Sequence, residues 1–471
     1  MSSQFEAEPS STWWSRPCGV GEVLRVAMPL VLSSLSWTVL TFIDRMFLMW
    51  WSEESLAASF PAALLWWTVL CCPLGICSYA STFVSQYYGA GEHRKIGPIV
   101  WQSVWLGLIA TPLTMLPMLF SESIFAAGGH EAAVRAEETI YFRILGWGSA
   151  PMLVSYALSS FFSGQGKTWV VMLVDGWSVL LNIVLDYVWI FGHAGFPAAG
   201  IAGGGWATVV AVAAKVPIYL ILLARSPNRS TCASWRLGFR WRLFKRLLIF
   251  GGPAGLQMLL DIAGFTAFVF LVGRLGGMEL TATNLAFNVS SLAFMPVYGL
   301  GLAASILVGQ QLGRDSPDLA ARGTWTTVWL AMSYMTLVST LYVVVPDLFL
   351  FGFFAHEAGQ RNGEVRAIAV VLLRYVAAYN LFDALNMVFV GAIKGAGDTR
   401  FIFGVSLIMA VLLAAGTWIA VSVFGAGLHG CWTLVTVWIW LLGVIYCVRF
   451  LRGRWRGMRV IEREAPLQSA G

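Results

Sequence analysis

Twelve long stretches of nearly unbroken apolar residues run through the chain, each bounded by charged residues or by Gly/Pro clusters. A hydrocarbon layer takes about 20 helical residues to cross, and an apolar run of 18 or more with few charges reads as a membrane span. The pattern predicts helices near 23–48, 56–82, 98–120, 137–162, 169–191, 199–224, 246–274, 280–308, 323–350, 367–393, 401–424 and 427–450. Trp13, Trp14, Trp50, Trp51, Trp66 and Trp67 fall near helix ends, as an interfacial aromatic belt does. The expected fold is an all-α polytopic membrane protein.

Composition strengthens that picture. Of 471 residues, 58% are hydrophobic and 11% charged, with a mean hydropathy of +0.73. Soluble domains carry about 25% charged residues, so a soluble enzyme or nucleic-acid binder is excluded as a class. The net charge of +6 matters less than its placement. Arg94, Lys95, Lys167, Arg314, Arg322, Lys394 and Arg400 sit with the chain ends and the even connections; Glu53, Glu54, Glu122, Glu131, Glu137, Glu138, Glu357 and Glu364 sit on the odd ones. Basic loops stay inside, which puts both termini in the cytoplasm of an inner-membrane protein. Glu6 and Glu8 precede the first basic residue and no cleavage site follows, so the first span is expected to be retained. The seven cysteines and five histidines show no metal-binding spacing.

The chain repeats itself. At an offset of 224, VSQYYG (84–89) falls on VGQQLG (308–313), WQSVWL (101–106) on WTTVWL (325–330), and Pro29 on Pro253. At an offset of 231, Arg143 meets Arg374 and GQGKT (164–168) meets GAGDT (395–399). An even number of spans per unit makes this a parallel repeat, with the binding region expected between the units near the bilayer midplane. The expected organisation is a cytoplasmic segment 1–22, a first lobe 23–224, a basic linker 225–245, a second lobe 246–452 and a basic tail 453–471. GQGKT ends like a phosphate loop, but Phe161 stands where that motif needs glycine, so it reads as a turn.

Few carboxylates enter the spans: Asp44, Asp175, Asp186, Asp261 and Asp383. A charged side chain at the centre of a membrane helix costs roughly 2.5–3.5 kcal/mol on insertion scales, so each needs a reason. Asp175 lies close enough to the cytoplasmic end to reach the interface. Tyr379, Asp383 and Asn386 share one face of the tenth helix, and Gln257 and Asp261 form an i,i+4 pair in the seventh. In the first unit Asn182 and Asp186 share a face, with Asp44 and Thr208 available to complete a second cluster. Arg143 and Arg374 lie early in their helices and can snorkel outward. Desolvated, neighbouring carboxylates can hold a proton near neutral pH or ligate Na⁺ through oxygen.

These stretches resemble the multidrug and toxic compound extrusion (MATE) family, NorM-like branch, over roughly residues 20–450. The resemblance is carried by AMPLVLSSLSWTVLTFID ending at Asp44, VSQYYGAG, FFSGQGKTWVVMLVDGWSVLLNIVLDYVWIFG, GGPAGLQMLLD ending at Asp261, TNLAFNVSSLAFMP and FVGAIKGAGDTRFIF. It implies two six-helix lobes that rock to export cationic or amphipathic organic compounds in exchange for Na⁺ or H⁺. It further implies a second-lobe cation site of Asp261, Tyr379 and Asp383, and a first-lobe cation or proton site of Asp44, Asn182, Asp186 and Thr208. Asp261 stands where that branch usually has Glu, Leu40 where some first-lobe sites have Tyr, and Thr283 where a His is common.

The expectation is therefore a monomeric, non-enzymatic antiporter in the lipid bilayer. It needs no cofactor beyond its coupling ion, binds no nucleic acid, and lines its substrate cavity with Gln257, Asn284, Asn288 and Asn386. Two other readings are a lipid or polysaccharide flippase of the same superfamily, which should carry a basic cavity, and a non-transporting receptor or scaffold whose aspartates only clamp helices.

Overall fold

The structure, a computed structural model, describes residues 13–354 and 360–462. Glu6, Glu8, His356, Glu357 and the stretches 1–12 and 463–471 of the expected terminal segments lie outside the described residues. All regular structure among the described residues is helical. The first half holds α1 (Val20–Trp51), α2 (Glu53–Ser78), α3 (Ala80–Gly89), α4 (Ile96–Met115), α5 (Ser121–Ala127), α6 (Ala132–Trp147), α7 (Ser149–Gly164), α8 (Thr168–Phe191) and α9 (Gly200–Ala224). A short α10 (Ser226–Cys232) lies in the connection. The second half holds α11 (Trp241–Val272), α12 (Gly277–Gly313), α13 (Pro317–Val344), α14 (Pro346–Phe354), α15 (Gln360–Ala396), α16 (Thr399–Ser422) and α17 (Leu428–Leu451).

Eleven helical segments among the described residues are long and apolar enough to cross a membrane, α2–α3 and α4–α5 each counting as one. The predicted helix over 137–162 is two pieces instead, α6 and α7, which meet at Gly148. Pro151 explains the break: it has no N–H to donate to the Trp147 carbonyl one turn back, so the helical ladder stops there and restarts. The predicted helix over 323–350 likewise ends at Val344, before Pro346.

Large apolar side chains such as Leu113, Leu180, Phe270, Trp329 and Phe424 face outward. A soluble surface does not carry so many; a lipid-facing one does. One interior cluster joins α2, α3, α4 and α6–α9. Two others belong mainly to the second half, one of them taking in Val23, Val26, Ala27 and Leu30 of α1. The start of α1 thus packs on second-half helices, while its end, through Phe47, stacks edge-on to Phe191 of α8. Where α2 crosses α11, glycine is required: a Cβ on Gly75 would lie 2.6 Å from the Gly255 Cα. Small residues let the two backbones touch there.

The halves are stitched together at one end. The Tyr79 hydroxyl donates to the Lys394 carbonyl at 3.0 Å, the Gln86 amide to the Gly395 carbonyl at 2.9 Å, and the Gln310 amide to the Gly164 carbonyl at 2.9 Å. Gln86, Gly164, Gln310 and Gly395 all stand at or near the last turn of α3, α7, α12 and α15, so this is a single end of the bundle. Among the described residues, the side-chain hydrogen bonds that join first-half to second-half helices gather there.

Candidate functional site

In the first half, α1, α6, α8 and α9 bring five polar side chains into one buried pocket. Asn182 and Asp186 project together because they lie four residues apart on α8. Asp44 of α1 and Thr208 of α9 face them, and all four are less than one-tenth exposed. The Asn182 carboxamide is oriented by its partners. Its nitrogen donates to Asp44 Oδ1 at 2.9 Å and to Asp186 Oδ2 at 3.1 Å, while its oxygen accepts from the Thr208 backbone N–H at 3.3 Å. One amide thus bridges the two buried carboxyl groups. A carboxylate only accepts, so two ionised acids this close would repel each other unless a proton or a cation lay between them. Arg45, next along the chain, lies 4.9 Å above the Phe60 ring and forms no ion pair with either acid among the described residues.

The fifth member is Tyr141 of α6, buried beside Thr208 and close enough to both aspartates to feel their charge. The sequence reading missed it. Its helix is one of the two broken pieces, so the face it presents could not be read from periodicity.

The second-half residues form two separate groups. On α11 the Gln257 amide donates to Asp261 Oδ2 at 2.8 Å, with Gln257 buried and Asp261 exposed. Ser406 of α16 lies beside the same carboxylate, and Lys394 of α15 lies within its electrostatic reach. On α15 the Asn386 amide donates to Asp383 Oδ1 at 3.4 Å. Tyr379 is buried and its hydroxyl lies 3.4 Å from Ser290 of α12 rather than on Asp383. Asp261 and Asp383 share no hydrogen-bond partner among the described residues. Asn284 and Asn288 are exposed on α12, the Asn288 amide donating to the Asn284 carbonyl at 2.9 Å. Thr283, by contrast, is fully buried and accepts from the Trp432 indole at 3.2 Å.

Asp175, half-buried, accepts from Lys215 of α9 at 2.9 Å and from the Ser33 hydroxyl of α1, an ion pair at a three-helix junction. Arg143 and Glu122 pair at 3.0 Å at the bundle surface, and Arg374 is exposed.

Long lipid-facing helices around a few interior carboxylates define a multi-span helical membrane protein. A family model described as MatE matches residues 29–188 and 253–419. The chain belongs to the MatE family. It is 28% identical over 462 residues to the "Probable multidrug resistance protein NorM" of Mesorhizobium japonicum, 95% of each chain being covered. It is 26% identical over 458 residues to the multidrug resistance protein PmpM of Pseudomonas aeruginosa, covering 94% of this chain and 93% of that one. Among solved structures it matches an outward-facing conformation of a multidrug resistance MATE family transporter with a TM-score of 0.83, at 16% identity, over 94% of this chain and 98% of that one. The eukaryotic MATE transporter AtDTX14 superposes with a TM-score of 0.81 at 19% identity, over 93% and 96% of the two chains. At those identities the structural matches establish the fold alone.

Proposed function

We propose that this protein is a secondary active exporter of cationic or amphipathic organic compounds, driven by Na⁺ or H⁺ moving inward across the inner membrane. Residues 23–224 and 246–452 act as two six-helix lobes that alternate access to the cavity between them. Both termini are cytoplasmic, and the stitched end carrying Gln86 and Gln310 is the closed cytoplasmic side of an outward-facing state.

One observation supports this reading above the others: the bridged Asp44–Asp186 pair, buried, surrounded by neutral donors, and lacking a basic partner in contact. Two acids so placed hold one cation or one proton better than none, which is what a coupling site needs. Asp44, Asn182, Asp186 and Thr208 are the first-lobe ligands, and Tyr141 joins them. Asp261, Tyr379 and Asp383 serve the second lobe, where the exposed Asp261 and the amides of Gln257, Asn284, Asn288 and Asn386 meet the organic cation. Each net elementary charge carried inward contributes about 2.3 kcal/mol per 100 mV; in a one-for-one exchange with a monovalent organic cation that contribution cancels, and the concentration gradient of the coupling ion drives export.

The test is accumulation of a fluorescent organic cation in inverted membrane vesicles under an imposed Na⁺ or pH gradient. Uptake that follows one gradient, and is lost in Asp186→Asn, is expected. Uptake indifferent to both gradients, or none at all from a folded protein, removes the exporter reading.

A further inference from the structure

The segment after α17 folds back on the protein. The Trp455 ring stacks on Phe450 at 4.7 Å and its indole N–H donates to the Phe450 carbonyl at 2.8 Å, which reverses the chain. Arg456 pairs with Asp318 at 3.0 Å and Arg459 with Asp315 at 3.3 Å, tying the returning strand to the start of α13. Residues 460–462 then cross the seam between the halves. The Val460 N–H donates to Gln86 Oε1 at 2.8 Å, its carbonyl accepts from Arg246, and Glu462 pairs with Arg246 and, at 3.0 Å, with Arg242.

Two features make this more than a tail lying on a surface. Val460 is fully buried and Ile461 nearly so, and both belong to the apolar cluster in which first-half helices meet Phe244, Leu247 and Ala254 of α11. Gln86, itself fully buried, spends both ends of its amide on second-half backbone: its nitrogen on the Gly395 carbonyl, its oxygen on Val460. The GAGDT turn is shaped around the same residue, since Gly397 has φ +107 and a Cβ there would meet Val460 Cγ1 at 2.7 Å.

We propose that residues 458–462 form a strap that locks the seam on its closed side and must leave Gln86 and the first-half side of that cluster each time that side opens. The inference rests on the alternating-access reading above. The polar anchors of the strap other than Gln86 named here, Asp315, Asp318, Arg242 and Arg246, belong to the second half, so separation of the halves carries the strap away from Gln86 and from the first-half side of the cluster that holds Val460 and Ile461. Its contacts across the seam exist in the closed state alone. An interaction present in only one of two states shifts the equilibrium toward that state by its whole differential free energy.

The experiment places spin labels at the exposed Arg94 and Arg322, on opposite sides of the seam, and measures their separation by pulsed EPR in the full chain in nanodiscs, with and without Na⁺ and at low pH. Val460→Asp is the strong variant, and the Val460→Ala/Ile461→Ala double variant removes packing without adding charge. Both should raise the long-distance population at least about tenfold, a shift in equilibrium constant worth 1.4 kcal/mol. If folded variants keep the wild-type distribution while ions still shift it, the strap is overturned and the transporter reading stands. If no long-distance population forms in any variant under any ion condition, both are overturned.

Discussion

Asp44 on α1 and Asp186 on α8 are bridged by the single carboxamide of Asn182, at 2.9 and 3.1 Å. Burial removes the water that would otherwise solvate two negative charges, and among the described residues no basic group forms an ion pair with them. The coupling-ion role proposed above would place one positive charge here, where it would tie α1 to α8 and α9.

Asp44→Asn or Asp186→Asn should leave the protein inserted and lower ion-driven transport about 10- to 100-fold. The estimate takes the 1.5–3 kcal/mol of one hydrogen bond to a charged group as the lost ion-binding free energy. The comparison is initial uptake rate in vesicles against ion concentration, where the variant's half-saturation should move upward. Tyr141→Phe should shift the same curve by a smaller amount, because it removes a hydroxyl and no charge.

Asp383→Asn should abolish ion-driven export while the chain still inserts. Asp383 has one weak partner, Asn386 at 3.4 Å, so its loss disturbs packing little. Full transport by a folded Asp383→Asn variant removes this residue from the mechanism.

Lys215→Met should destabilise the protein by about 1–3 kcal/mol, less than the loss from a fully buried pair, because it leaves the half-buried Asp175 carboxylate without its ammonium. Lys215→Met combined with Asp175→Leu should recover most of that loss. Thermal unfolding of the four forms in detergent gives the coupling directly; additive single effects would show that the pair is not a unit.

Gly255→Val should weaken the closed seam. Any Cβ at this position meets the Cys72 carbonyl of α2, with Ile76 also in the way, and overpacking of this kind costs about 1–3 kcal/mol. The label pair at Arg94 and Arg322 should report more open protein, with total folded protein little changed.

Docking of the C-terminal strap should not change between pH 8 and pH 5. The hydrogen bond from Arg246 holds the Glu462 carboxyl below its ordinary value of 4.5, with the charges of Arg246 and Arg242 acting in the same direction. A carboxyl so lowered contributes fully above its ordinary value and loses that contribution as pH falls through the lowered one. Spin-label mobility at Met458 should therefore rise only below about pH 4.5. A rise near pH 6 to 7 would point to another group.

The apolar runs alone placed most of the helices, because crossing lipid demands length and hydrophobicity within one continuous segment. The predicted 169–191 and 199–224 became Thr168–Phe191 and Gly200–Ala224. Failures came where a local exception outweighed composition, as at Pro151, which divides α6 from α7. The tail expected from its arginines to be basic also carries Trp455, Val460 and Ile461 among them, and those apolar residues were the available sign of a docked segment.

The chain by itself determined which residues could share a helix face. Asn182 with Asp186 and Gln257 with Asp261 follow from the 3.6-residue turn, and both pairs are neighbours in space. Which faces of different helices meet is a property of rotation about each axis and of crossing angle, and those are decided by packing across the whole bundle. Only the tertiary structure joined Asp44 to Asp186, added Tyr141, gave Asp175 to Lys215, and kept Asp261 with Ser406 while Asp383 stayed with Asn386. Periodicity fixes a side chain relative to its own helix axis and carries no information about the helix that will lie opposite.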